Sequence, residues 1–175
     1  MKKSDDSITR IRTHSADATR ALGNALGVAT AAINAEQPIF IALNGELGAG
    51  KTTFVSGFMR AMGVTQSIRS PTYTLIETYD LPLANSRRVH HLDLYRLADS
   101  SELEMLAPRD LLEPGAILLI EWAEKGCGVL PIPDLQINLG YLAPGKGDKD
   151  ERILEVTPGS SSGKALAASL HGSPD

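Results

Sequence analysis

The feature that most constrains this chain is the glycine-rich segment Gly45-Glu46-Leu47-Gly48-Ala49-Gly50-Lys51-Thr52. Its outer glycines bracket four residues and a Lys-Thr pair follows directly, which is the pattern of a phosphate-binding loop. An apolar run precedes it over 39–43, and apolar residues at helical spacing follow it from Phe54 to Met62. This order predicts a buried strand, a loop whose backbone N–H groups surround phosphate oxygens, and a helix whose N-terminus favours negative charge.

The two residues that end this motif have distinct expected roles. Lys51 is expected to reach the β- and γ-phosphates of a nucleotide, and the Thr52 hydroxyl is expected to hold Mg²⁺. A glycine turn that only resembles the motif is the alternative, and the strand and helix in the required order argue against it. The predicted nucleotide contacts in this segment are Gly45, Glu46, Leu47, Gly48, Ala49, Gly50, Lys51, Thr52 and Thr53.

Length, charge and cysteine content bound the remaining possibilities. The 175 residues suit one domain, predicted over 11–170, with loose ends over 1–10 and 171–175. A formal net charge of -4 gives no general basic surface for nucleic acid, so any contact with RNA would be local or through a partner. Cys127 is the only cysteine, which excludes an internal disulfide. With no secretion signal and no membrane-length apolar run, the sequence predicts a cytoplasmic protein that does not enter the membrane.

Local patterns along the chain predict an α/β fold with a phosphate-binding loop. Ser15 is expected to cap a helix that reaches Ile33, Ser101 with Glu104 forms a capping box for a helix over 102–107, and a last helix spans 164–170. Alternating or continuous apolar runs predict strands. These strands cover 39–43, 72–79, 89–94, 116–120, 135–141 and 152–156. The resulting prediction is an α/β domain with an antiparallel C-terminal edge hairpin.

Two acids stand where strands end. Asp93 lies near the end of the predicted strand at 89–94, and Glu121 comes directly after the predicted strand at 116–120. A Mg²⁺–nucleotide site needs a carboxylate beside the loop at such a position. A surface acid at a strand end is the alternative for either one, but two such acids in a chain with this loop favour a site. One is expected to ligate Mg²⁺ directly and the other to act through water, and the sequence leaves open which does which.

Other side chains near these acids have two readings each. Thr72 lies in the hydroxyl-rich turn Ser70–Thr74, which is either a segment that senses the γ-phosphate or a simple turn before a strand. Trp122 is either a core aromatic or a ring close to the nucleotide. His90 and His91 point to opposite faces of one strand, so they do not form a metal pair. For His91 a packed, hydrogen-bonded histidine is favoured over a metal ligand.

Four ordered blocks of the chain resemble the TsaE (YjeE) family of bacterial ATPases in tRNA modification. They are Gly-Glu-Leu-Gly-Ala-Gly-Lys-Thr-Thr at 45–53, Ser-Pro-Thr-Tyr-Thr-Leu at 70–75, His-Leu-Asp-Leu-Tyr-Arg-Leu at 91–97 and Ile-Glu-Trp at 120–122. The likeness spans roughly 11–170. Two departures concern the turn over 143–150, which is longer than expected, and Ser15–Asp17, where relatives often have an acidic stretch.

This resemblance implies a three-layer α/β fold like that of P-loop NTPases, with a mostly parallel central sheet and antiparallel edge strands. It also implies a protein that binds ATP and Mg²⁺ and hydrolyses ATP slowly by itself. Family members act with TsaB-like and TsaD-like proteins to make threonylcarbamoyladenosine next to the anticodon of tRNA, and they meet the tRNA indirectly through that complex. Carried over to this chain, Lys51 contacts phosphates and Asp93 supports hydrolysis, with Glu121 as the third catalytic residue. Thr52 and Glu121, joined by Asp93, form the metal site. Thr72 and Trp122 lie close to the nucleotide.

Two other functions fit the loop chemistry. A small-molecule kinase uses the same loop, but it needs an acceptor pocket and commonly a lid with arginines, which the sequence does not show. A module that holds ATP without hydrolysing it is the third reading. The sequence favours an ATPase that acts as a nucleotide-driven switch.

Overall fold

The computed structural model describes residues 8–33, 36–71, 73–81, 87–142 and 150–170. All the helices and strands expected from the sequence are present in these ranges, with one additional strand at the beginning and a short 3₁₀ turn (Ala123–Gly126) after the fifth strand. The elements are β1 (Thr9–Thr13), α1 (Ala16–Ala32), β2 (Ile39–Asn44), α2 (Lys51–Ala61), β3 (Ile76–Asp80), β4 (Arg88–Asp93), α3 (Ser100–Met105), β5 (Ile117–Glu121), β6 (Leu135–Tyr141), β7 (Arg152–Pro158) and α4 (Ser161–Ser169).

The strands form one sheet in the order β1-β7-β6-β2-β5-β4-β3. The four central strands β6, β2, β5 and β4 are parallel, and antiparallel neighbours flank them on both sides. β2 and β5 are apolar almost throughout because both of their faces are covered. The mostly parallel sheet predicted from the sequence is therefore confirmed. Its parallel core brings the carboxyl ends of β2, β4 and β5 to one edge, where α/β proteins bind ligands.

Helices α1, α2 and α4 cover one face of the sheet, and α1 packs closely against α2. Glycine in a helix interior costs about 1 kcal/mol relative to alanine, yet the contact between these helices requires it. A Cβ on Gly23 would lie 2.0 Å from the Phe54 carbonyl oxygen, and one on Gly57 would lie 1.9 Å from that of Arg20. The backbones of the two helices are therefore in direct contact, and this contact fixes the position of α2 behind the loop.

The opposite face carries a smaller apolar cluster under α3 and the 3₁₀ turn. Phe40 and Leu118 point to this face, while their neighbours Ile39 and Ile117 point to the helix-covered one. This alternation in strands that are apolar throughout gives the three-layer arrangement expected from the sequence. Within the described residues, no helix is long and apolar enough to cross a membrane.

The ends of the sheet differ from the predictions. β1 begins at Thr9, so the expected loose segment over 1–10 is wrong for Thr9 and Arg10, while residues 1–7 lie outside the described ranges. The hairpin of β6 and β7 is antiparallel as predicted, but β1 pairs with β7 and becomes the outermost strand. Arg10 pairs with Glu155 on the neighbouring strand, at 2.8 Å. Such pairing across a distance of more than a hundred residues has no local sequence signal. The tail over 171–175 and the turn over 143–149 also lie outside the described residues.

Two local boundaries also differ. The strand expected over 72–79 starts only at Ile76, because Leu75 takes a φ of 63° and its N–H bonds the Pro71 carbonyl at 2.7 Å, which closes a turn. Helix α3 is capped by Asp99, whose side chain accepts the Ser101 N–H. The carboxylate of Asp99 thus takes the capping role predicted for the Ser101 hydroxyl, and the helix begins two residues earlier than expected.

Candidate functional site

The glycine-rich loop between β2 and α2 forms one wall of a cleft of about 310 Å³. Gly45, Gly48 and Gly50 have φ values of 135°, 78° and 100°, which other residues rarely adopt. A Cβ on Gly45 would lie 2.1 Å from the Leu139 carbonyl oxygen. The glycines are therefore required by the loop's curve and by its close approach to β6.

The structure brings most of the predicted site residues together in this cleft, although not all of them line it. Gly45 and Glu46 shape the beginning of the loop, and Ala49 is buried beneath it in the core. Thr72 lies outside the described residues. The cleft is lined by Leu47, Gly48, Gly50, Lys51, Thr52, Thr53, Ser70, Asp93, Tyr95, Glu121 and Trp122.

Lys51 is folded back on the loop from the first turn of α2. Its Nζ donates to the carbonyls of Gly45 at 2.6 Å and Glu46 at 2.9 Å, and it lies 3.7 Å from the centre of the Trp122 ring. Burial lowers the pKa of Lys51 because it disfavours the charged form, while the carboxylates of Glu121, Glu124 and Asp93 act in the opposite direction. The cleft thus contains a positive charge held beside the loop's backbone.

Glu121 lies at the end of β5 and is almost fully buried, with 2% of its surface exposed. The Thr52 hydroxyl donates to its Oε2 at 2.8 Å, which joins the end of β5 to the first turn of α2. Its other oxygen, Oε1, lies 3.0 Å from Nε2 of His91 on β4. The residues predicted to hold a cation, Thr52 and Glu121, are therefore in direct contact.

Asp93 lies at the end of β4, directly opposite Glu121 in the parallel register. It is 3% exposed, its Oδ1 accepts the Tyr95 N–H at 2.8 Å, and its Oδ2 accepts the Ser70 hydroxyl. Both acids therefore lie at one edge of the sheet, at the ends of neighbouring strands. Ser70 links the hydroxyl-rich turn to this edge, so Asp93 connects that turn with Tyr95, which follows β4.

Trp122 directly follows Glu121 and lines the cleft instead of filling a remote core. The backbone N–H of Trp122 donates to the Leu43 carbonyl at 2.8 Å. The backbone φ of Trp122 is 59°, a conformation that costs a non-glycine residue about 1–3 kcal/mol. This turn places the indole ring against the Lys51 ammonium. The centre of the Tyr95 ring lies 5.1 Å from the centre of the Trp122 ring. An aromatic pair thus walls the cleft beside the loop.

The donor set at this edge fits Mg²⁺. Thr52, Glu121 and Asp93 supply only oxygen, which hard divalent cations prefer. Within the described residues, no group of three or more His, Cys, Asp and Glu side chains could hold a metal by itself. Mg²⁺ commonly takes one or two carboxylates and completes its sphere with water and substrate phosphates. The edge therefore suits a cation that arrives with a phosphate ligand.

Three residues of the site were not singled out by sequence reasoning as site residues. Tyr95 and Ser70 enter through contacts with Trp122 and Asp93. His91 was expected to be packed and hydrogen-bonded, which is confirmed, but its partner Glu121 was not foreseen. The usable signal was the two-residue spacing from His91 to Asp93, which places both on one face.

Comparisons with known proteins agree with this geometry. The model of the family described as threonylcarbamoyl adenosine biosynthesis protein TsaE matches residues 13–147. The chain is 39% identical over 138 residues to the tRNA threonylcarbamoyladenosine biosynthesis protein TsaE of Haemophilus influenzae, covering 79% of this chain and 82% of that protein. It is 36% identical over 160 residues to the protein of the same name from a Nostoc species, covering 87% and 88% of the two chains.

The fold has a counterpart among solved structures. The crystal structure of YdiB from Bacillus subtilis superposes with a TM-score of 0.67 at 26% sequence identity, covering 94% of each chain. The match to the family extends over most of the chain and includes the loop, both acids and Trp122. On these grounds the chain belongs to the TsaE family of threonylcarbamoyl adenosine biosynthesis proteins.

Proposed function

We propose that the protein is a Mg²⁺-dependent ATPase, weak by itself, that works with TsaB-like and TsaD-like partners to make threonylcarbamoyladenosine in tRNA. One observation carries the enzymatic part of this proposal. The glycine loop, Lys51 and the bonded pair Thr52–Glu121 converge with Asp93 in a single cleft. The names of the similar proteins support the pathway, and the net charge of -4 suits contact with tRNA through the partners.

The loop and α2 account for triphosphate binding. Gly50 precedes α2, so the free N–H groups of the helix's first turn and the loop backbone favour anionic oxygens. Lys51 already holds its charge at the loop, and phosphate oxygens would replace the carbonyls of Gly45 and Glu46 as its acceptors. The aromatic wall of Trp122 and Tyr95 excludes water from one side of this charge.

The acids account for hydrolysis. Bound at Thr52 and Glu121, Mg²⁺ would neutralise charge on the phosphates and on the leaving group. Asp93, fixed by Ser70 and by the Tyr95 N–H, is the carboxylate that would orient the attacking water and accept its proton. Ser70 and Tyr95 belong to the segments beside the cleft. A water molecule that binds Asp93 would compete with their hydrogen bonds to this carboxylate and so change the contacts of both segments.

No arginine is among the described residues that line the cleft, which argues against phosphoryl transfer to a small acceptor. Among the described residues that line the cleft, Lys51 is the only cation, whereas kinases commonly close the site with arginines. The acceptor expected here is therefore water.

Reconstitution of tRNA modification with TsaB, TsaD and this protein tests the proposal. Wild-type protein should support repeated turnover and release phosphate from ATP, and its omission or replacement by Lys51→Ala should stop both. Lys164→Ala, on the exposed side of α4, is the matched control and should behave as wild type. Transfer of the γ-phosphate to a small molecule, or modification that proceeds equally without the protein, would remove the proposed function.

A further inference from the structure

Glu121 is hydrogen-bonded through both oxygens in a region that solvent hardly reaches. Oε2 accepts from Thr52 at 2.8 Å, and Oε1 lies 3.0 Å from Nε2 of His91, whose side chain is 0% exposed. A carboxylate oxygen only accepts, so the imidazole donates through Nε2. His91 Nδ1 has no hydrogen-bond partner among the described residues, which fits a lone pair better than a second buried N–H.

The contact depends on the register of two neighbouring strands. β4 and β5 pair in parallel with His91 opposite Leu119 and Asp93 opposite Glu121. His91 is therefore diagonal to Glu121 on the face that α2 covers, and it reaches the carboxylate from the side away from Thr52. His90 points to the other face, where its Nδ1 lies 2.9 Å from the Thr78 hydroxyl. One strand thus carries a histidine directed at the site and a neighbouring histidine directed away from it.

We propose that His91 is a positioning residue that fixes the carboxylate of Glu121 for the cation. By occupying Oε1, the imidazole leaves Oε2, the oxygen shared with Thr52, as the one available to Mg²⁺. A role of this kind rests on the proposed nucleotide and Mg²⁺ site. Removal of a hydrogen-bond partner behind a metal ligand typically costs about 10–100-fold in metal affinity.

Calorimetric titration of ADP at a series of Mg²⁺ concentrations, and in EDTA, tests this role. His91→Phe keeps the ring volume and removes the donor, so it should need about 10–100-fold more Mg²⁺ for the same gain in ADP affinity. Its ADP affinity in EDTA should equal that of wild type. His91→Gln, whose amide nitrogen can take the position of Nε2, should stay near wild type. His90→Gln is the matched control on the opposite face and should leave the Mg²⁺ dependence unchanged.

The double variant His91→Phe/Glu121→Ala separates a positioning role from a structural one. If His91 acts through Glu121, the double variant should show the same Mg²⁺ dependence as Glu121→Ala alone. A Mg²⁺ titration of His91→Phe identical to that of wild type would overturn the proposal, as would an equal loss of ADP affinity with and without Mg²⁺. Should His91→Phe not fold, His91→Asn replaces it, since its shorter amide cannot reach Glu121. Equal behaviour of the Asn and Gln variants would then overturn the role.

The proposed function fails in a different way. Wild-type protein that binds no ADP, or binds it with no response to Mg²⁺, removes the nucleotide site itself and the positioning role with it. If the ADP affinity of wild type responds to Mg²⁺ and that of His91→Phe responds in the same way, only the positioning role is removed.

Discussion

Two cavities lie on opposite faces of the sheet near the end of β2, and the larger one is the poorer candidate for chemistry. The loop cleft has a volume of about 310 Å³ and contains Lys51, Asp93 and Glu121. The second cavity, about 430 Å³, lies between β2, β6 and the segment after the 3₁₀ turn. Its lining includes Phe40, Ala42, the amides of Asn44 and Gln136, and Glu124, which is exposed to solvent.

The comparison shows that buried charge, and not volume, identifies the site in this fold. Each charged group in the loop cleft is desolvated and held by specific partners, an arrangement that costs free energy unless it serves binding or catalysis. In the second cavity the lining amides of Asn44 and Gln136 both donate to Oδ1 of the adjacent Asn138, at 3.0 and 3.2 Å, so these polar groups already have partners. Substitutions in the loop cleft should therefore impair hydrolysis, whereas substitutions in the second cavity should not.

Asp93→Asn should slow ATP hydrolysis roughly 10²–10⁴-fold, because the amide cannot accept a proton from water. ADP affinity should change little, since Asp93 is held by Ser70 and Tyr95 and does not belong to the loop. Phosphate release measured at saturating ATP checks the rate, and calorimetry with ADP checks binding. A parallel loss of both would instead indicate a structural role for Asp93.

Lys51→Ala should reduce hydrolysis roughly 10²–10³-fold, the range seen when one donor to developing negative charge is removed. The reason is that the cleft's described lining offers no other cation to replace Lys51. Steady-state phosphate release at several ATP concentrations measures the loss. A rate equal to that of Lys164→Ala would take Lys51 out of the site.

Binding of ADP or ATP should change the fluorescence of Trp122 in a saturable manner, because the ammonium of Lys51 lies 3.7 Å from its ring and would move toward the phosphates. Trp122 is the only tryptophan, so the signal reports this site alone. A flat titration at nucleotide concentrations that calorimetry shows to be saturating would contradict the proposed contact.

Gln136→Ala and Ile132→Ser, in the second cavity, should leave hydrolysis within about twofold of wild type. Ile132 is 85% exposed, so its substitution should change the free energy of unfolding by no more than about 0.5 kcal/mol. Phosphate release and thermal unfolding provide the two measurements. A loss comparable to that of Lys51→Ala would make the second cavity part of the functional site.

Much of the site could be predicted because its parts have local signatures. The loop, the strand before it and the helix after it follow each other in the chain. Glu121 ends a continuous apolar run, and Asp93 ends the shorter strand pattern Val89–Leu92. The N-cap Ser15 was also predictable, since its side chain accepts the N–H three residues further on. These features need only a few neighbouring residues.

Other parts depended on packing that no local pattern contains. The edge strand β1 exists through its pairing with β7, and Gly23 is accommodated in α1 because the backbone of α2 lies where a Cβ would be. Leu75 leaves the extended conformation despite its strand-like surroundings, because a turn closed by Pro71 precedes β3. In each case the deciding partner is a tertiary contact or a backbone turn that outweighs residue propensity.

The sequence by itself determined that this chain has a phosphate-binding loop with a lysine and a threonine at its end, because glycines at fixed spacing specify the loop's backbone. It also predicted that one acid would stand at the end of each of two strands. Only the tertiary structure decided that Glu121 is shared between Thr52 and His91 and that Ser70 reaches Asp93. Those contacts follow from the parallel register of β4 and β5 and from the packing of α2 against them. The register of the strands and the position of α2 depend on how the whole sheet packs, and no short stretch of sequence specifies them.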